Sequence, residues 1–73
     1  MLYVNTALMQ DKIIDLLTNF DDANLTFKYV DKQGIKLRFE TNATDLEAAA
    51  KKVKAAIKAQ SWGSVLYFQV GVE

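Results

Sequence analysis

The 73-residue sequence contains no cysteine, no histidine and no proline, and it has only three glycines. Without cysteine the chain can form neither a disulfide nor a thiolate metal site. Without histidine it lacks the commonest zinc ligand and the commonest general base near neutral pH. Two acidic pairs, Asp11 with Asp15 and Asp21 with Asp22, lack the spacing of a calcium-binding loop. We therefore expect no metal, no cofactor, no catalytic residue and no enzymatic activity.

The sequence also lacks an excess of charge of one sign and any long apolar run. Nine basic and nine acidic side chains balance, so no global field attracts nucleic acid or anionic lipid. The apolar runs are far shorter than the roughly 20 residues that span a bilayer, and no basic region begins the chain. We expect a cytoplasmic protein without a membrane partner, folded as a single α+β domain over residues 1–73.

Two amphipathic helices are predicted from apolar residues at helical spacing. The first extends from about Thr6 to Phe20, with Asn5 or Thr6 as its N-cap. The second begins at a capping box formed by Thr44 and Glu47, with Thr44 as the N-cap, and continues to about Gln60. The apolar positions are Met9, Ile13, Leu16, Leu17 and Phe20 in the first helix, and Leu46, Ala49, Ala50, Val53 and Ile57 in the second.

A β-hairpin is predicted where residues 25–30 and 35–40 alternate between apolar and polar side chains. The four residues between them, Asp31 to Gly34, have the composition of a turn in which glycine takes the left-handed conformation. Pairing Asp31 with Ile35 fixes the register. The cross-strand pairs would then be Tyr29 with Leu37, Phe27 with Phe39, and Lys28 with Arg38.

Two further strands complete the predicted fold. Residues 65–72 read as a last strand, and residues 2–4 as a short first strand that could be absent. The order β-α-β-β-α-β resembles the ferredoxin-like split βαβ topology, with two helices on one face of a mostly antiparallel four-stranded sheet. This is a resemblance to a topology and not to a family.

The face of the sheet without helices would carry basic and aromatic side chains. Its members would include Lys28, Lys36, Arg38, Tyr67 and Gln69, together with Tyr3 if the even positions of the first strand point inward. Bases stack on aromatic side chains over cationic sheets in single-strand nucleic-acid binders. However, the sequence has neither the RNA-recognition consensus nor a Gly-x-x-Gly clamp. The other interpretation is a solvated face on which Glu40 lies diagonal to Lys28.

The predicted last strand, residues 65–72, has no charge and no proline. Edge strands usually carry such residues because these prevent pairing with another chain. Three interpretations stay open: the strand pairs with a second copy, it accepts an extended peptide, or it lies in the centre of the sheet. Just before it, Trp62 either closes the core or serves as a recognition residue.

Small size also bears on function. A chain shorter than about 70–80 residues seldom builds a large core without disulfides, metals or a second copy. The sequence therefore predicts a small interaction or regulatory module that binds itself or another protein, through its last strand or its open sheet face. The alternative is single-stranded nucleic-acid binding by Lys28, Lys36, Arg38, Tyr67 and Tyr3 on the open face.

Overall fold

The computed structural model describes residues 1–20 and 24–73, so Asp21 and Asp22 of the second acidic pair lie outside the described residues. The described residues form a four-stranded antiparallel sheet and two helices, as the ferredoxin-like pattern predicts. The sheet order is β2-β3-β1-β4, and the short first strand is present. The elements are β1 Leu2–Asn5, α1 Gln10–Thr18, β2 Phe27–Gln33, β3 Lys36–Thr41, α2 Leu46–Lys58 and β4 Gln69–Val72.

The core lies between the two helices and one face of the sheet. Alternate positions of the strands and one stripe of each helix supply it, because these are the positions that face the same side of their element. Trp62 is half-buried and packs against this core. Within the described part, neither helix has the length and apolar character needed to cross a membrane. The buried apolar residues are Leu2, Val4, Ile13, Leu17, Phe27, Leu37, Phe39, Ala49, Val53 and Ile57.

Helix α1 begins four residues later than predicted, so capping by Asn5 or Thr6 is wrong. The Thr6 N–H donates to the carbonyl of Ile35 at 2.8 Å, and the Thr6 hydroxyl donates to the carbonyl of Leu8 at 2.7 Å. The first of these bonds continues the path of β1 by one residue, and the second is local to residues 6–8. The N-cap is Met9 in the left-handed conformation, with φ of 61°. Met9 was predicted to be apolar core but is 42% exposed.

Helix α2 has a different N-cap from the predicted one. The side chain of Asp45, not that of Thr44, accepts a hydrogen bond, at 3.1 Å from the Ala48 N–H. Both residues are of the type that caps helices, and aspartate is the stronger of the two. The helix ends at Lys58, two residues before the predicted end. As predicted, Ala49 faces the core.

The hairpin is present but its predicted register is wrong. Its turn consists of two residues, Gly34 and Ile35, and Gly34 has φ of 62°. Such two-residue turns match the twist of antiparallel strands. A β-bulge between Tyr29 and Asp31 then accommodates one additional residue. The observed pairs are Tyr29 with Phe39, Phe27 with Thr41, and Lys28 with Glu40.

The last strand is shorter than predicted and lies at the edge of the sheet. Residues 65–68 are outside β4, because the chain first makes turns in which the Leu66 N–H donates to the Gly63 carbonyl at 3.1 Å. In the described sheet β4 pairs with β1 alone. The interpretation of a central last strand is therefore wrong. Helix α2 crosses over β1 to connect β3 to β4, so β4 is added at the outside.

Candidate interaction surface

The outer edge of β4 presents backbone groups that no other strand of the described chain pairs with. The Glu73 N–H donates to the Met1 carbonyl at 2.8 Å, so these two residues form a hydrogen-bonded pair. Such pairs alternate with non-hydrogen-bonded pairs along an antiparallel ladder. Gly71 consequently directs its N–H and C=O toward β1, whereas Val70 and Val72 direct theirs outward. The free edge is therefore formed by two valines.

The two edges of the sheet differ in how they are protected from another strand. On β2 there is a bulge at residue 30, and Lys28 and Lys32 are exposed. Bulges and edge lysines both oppose edge-to-edge pairing. The sequence of β4, Gln-Val-Gly-Val, has no charge, and its register with β1 has no irregularity. Its short length is its main protection.

A groove of about 330 Å³ runs beside this edge, between β4 and α2. Its floor is Val70, Gly71 and Val72, and the α2 residues along it are Glu47, Ala50, Lys51 and Lys54. The small side chain of Ala50 leaves space next to the strand. Within the described chain, no ion pair involves Glu47, Lys51 or Lys54. The groove thus carries an acidic residue at one end and a basic residue at the other.

On the open face, Tyr3 lies across Gly71. A Cβ atom at Gly71 would be 2.5 Å from Cζ of Tyr3, so only glycine leaves room for the ring in this position. The Lys36 Nζ lies 4.8 Å from the centroid of the same ring, within the range of a cation–π contact. The ring of Tyr3 is therefore packed between its neighbours and is not a free stacking surface.

Acidic side chains accompany both central cations of the open face. Lys36 Nζ lies 2.6 Å from Glu73 Oε2. Arg38 Nε lies 3.0 Å from Asp31 Oδ1, and both of these atoms are shielded from solvent. Arg38 also reaches Glu73, with Nη1 at 3.6 Å from Oε1. The hydrogen bond from Lys36 holds the pKa of Glu73 below its ordinary value, against an opposing effect of desolvation.

Besides Tyr3, the six other residues singled out from the sequence do not form one footprint. Lys36 and Arg38 meet on the open face, whereas Lys28 is exposed near the outer edge opposite Glu40. Tyr67 is 84% exposed and precedes β4. Tyr67 and Gln69 line a second cavity of about 310 Å³ at the start of β4. Trp62 is half-buried and packs against the core.

Comparison with family models, curated proteins and solved structures found no match. Function is therefore inferred from the geometry of the chain itself.

Several residues of this surface were not identified from the sequence. Glu73 and Asp31 neutralise the open face, but their pairing with Lys36 and Arg38 depends on the register of three strands. Glu47 was identified only as part of a capping box. Its position four residues before Lys51 and seven before Lys54 places the three on one helix face, which is the signal that could have found them.

Proposed function

We propose that this protein is a non-enzymatic interaction module that associates with itself by strand pairing at the free edge of β4. The observation that carries this proposal is the outward direction of the backbone groups of Val70 and Val72. A strand that adds to such an edge forms main-chain hydrogen bonds without any rearrangement of the sheet. The absence of charge from β4 leaves this approach unopposed.

The size of the chain supports the same proposal. Among the described residues ten apolar side chains are buried in the core, while Val72 at the free edge stays 39% exposed. Pairing would cover Val72 and extend the apolar layer beneath α2. A four-residue strand gives a small interface, and small interfaces are typical of weak, transient complexes. We therefore expect a reversible dimer and not a permanent one.

Sedimentation equilibrium over a wide concentration range tests the proposal, with Val72→Pro as the decisive variant. Proline removes the outward N–H of residue 72, which takes no part in the ladder with β1. We expect the wild-type protein to pass from monomer to dimer as concentration rises, and Val72→Pro to remain a monomer over the same range.

Val65→Pro is the matched control, because Val65 is 88% exposed and precedes β4. This variant should dimerise as the wild type does. A wild-type protein that stays monomeric throughout would contradict the proposal. So would a Val72→Pro variant that dimerises normally.

Single-stranded nucleic-acid binding on the open face has no specific observation in its favour. Binding of this kind needs cations that are free to contact phosphates and aromatic rings that are free to stack. Lys36 and Arg38 are instead close to Glu73 and Asp31, and Tyr3 is covered by Lys36. Lys28 on β2 and Tyr67 before β4 are exposed, but they lie at opposite edges of the sheet and do not form one surface. The balance of charge on this face favours the interaction module.

A further inference from the structure

The direction of the backbone groups limits how two copies of β4 can pair. In a two-fold antiparallel pair, the residues that exchange hydrogen bonds must be those that point outward, Val70 and Val72. If Val70 pairs with Val70 of the second copy, or Val72 with Val72, β4 gains only one hydrogen-bonded residue pair. If Val70 pairs with Val72 of the second copy, β4 gains two such pairs. The register that makes most use of the strand therefore places the axis between the Gly71 residues of the two copies.

The groove beside β4 has charges that suit the same axis. Glu47 and Lys54 stand at equal distances along α2 from the midpoint between Ala50 and Lys51. These residues line the groove beside Gly71 and its two neighbours. A two-fold axis between the two Gly71 residues reverses the direction of α2 in the second copy. Glu47 of each copy then lies next to Lys54 of the other copy. Lys51 of each copy faces Ala50 of the other copy and not its own counterpart.

We infer that the partner at the β4 edge is a second copy of this chain, in an isologous dimer whose axis passes between the Gly71 residues of the two copies. Val70 and Val72 form the hydrogen-bonded pairs, and Glu47 with Lys54 forms the charge contact between the two α2 helices. This inference rests on the proposed function. It adds the register of the strand pair and the charge contact between the helices. In a closed two-fold contact the β4 edges of the two copies pair with each other, so association stops at the dimer.

The absence of cysteine from the natural sequence allows a direct test of the register. In the inferred dimer Gln69 of one copy is opposite Glu73 of the other, in a non-hydrogen-bonded pair, the closer kind. A mixture of Gln69→Cys and Glu73→Cys chains should form a disulfide-linked dimer under mild oxidation. We expect about tenfold more covalent dimer in the mixture than in either variant alone, because only the mixture brings two thiols together.

Reversal of the groove charges tests the contact between the helices. We expect Glu47→Lys and Lys54→Glu to weaken dimerisation by roughly tenfold each at low salt, since each change affects two symmetry-related contacts. The double variant Glu47→Lys with Lys54→Glu should restore wild-type dimerisation. Lys58→Glu is the control for charge reversal on the same helix, because Lys58 is exposed and does not line the groove.

The outcomes separate this inference from the proposed function. A dimer that Val72→Pro abolishes, but in which the mixed thiols do not react, would overturn the register and leave self-association intact. A double charge reversal that fails to restore dimerisation would overturn the helix contact. Binding of an extended peptide to a wild-type protein that stays monomeric would overturn both the inference and the proposed self-association, and would assign the β4 edge to a peptide partner. Monomers that bind no peptide would overturn the inference and the proposed function together.

Discussion

Gly63 lies buried where the chain leaves α2, against the carbonyl group of Ile57. A Cβ atom at this position would lie 2.8 Å from the carbonyl carbon of Ile57 and closer still to its oxygen. Backbone atoms of a helix cannot move aside as the end of a side chain can. We expect Gly63→Ala to lower the free energy of unfolding by about 2 kcal/mol or more, as overpacking does, measured by urea denaturation.

Gly34→Ala is the control for this prediction. A Cβ atom at Gly34 meets nothing within 4 Å, but the residue has φ of 62°. The expected loss is therefore the conformational penalty alone, about 1 kcal/mol. A loss for Gly63→Ala as small as that for Gly34→Ala would contradict the close packing of Gly63 against Ile57.

At the scale of the element, the observed N-cap of α2 differs from the N-cap that the sequence pattern predicted. The carboxylate of Asp45 accepts from the Ala48 N–H at 3.1 Å, whereas the predicted capping box assigned this role to Thr44. We expect Asp45→Ala to lower the free energy of unfolding by about 1 kcal/mol. Thr44→Ala should change it by only a few tenths of that amount.

Urea denaturation of both variants checks the prediction. A larger loss for Thr44→Ala than for Asp45→Ala would support the capping box. Periodicity predicted the type of every element, because a residue's position on a helix or strand face follows from local backbone geometry. It did not predict the exact end residues, because adjacent residues such as Thr44 and Asp45 can both cap a helix.

At the scale of the whole molecule, Glu73 joins β4 to β3 through Lys36 and Arg38. Its hydrogen bond from Lys36 lowers its pKa in the folded state. A carboxyl with a lowered pKa stabilises the fold fully above its unfolded pKa of about 4.3, and the contribution is lost as pH falls through the folded value. We expect wild type to be more stable than Glu73→Gln at pH 6, and this difference to disappear in acid.

Urea denaturation of the two proteins between about pH 3 and pH 7 measures this difference. A difference that persists unchanged at the acid end would contradict the ion pairing of Glu73. The same comparison at high salt should reduce the effect, since Glu73 is exposed to solvent and its interactions are screened.

The sequence by itself determined the succession of helices and strands and most of the apolar positions that form the core, with Met9 as an exception. These follow from side-chain periodicity and from the few ways in which two helices can cover a four-stranded sheet. Tertiary structure alone decided the bulge at residue 30, the neutral open face and the free edge of β4. Each depends on the pairing of residues that are distant in the chain, such as Tyr29 with Phe39 or Glu73 with Lys36. The physical reason is that a strand's pattern fixes which side chains share a face, while its neighbours and register are set by the packing of the whole sheet.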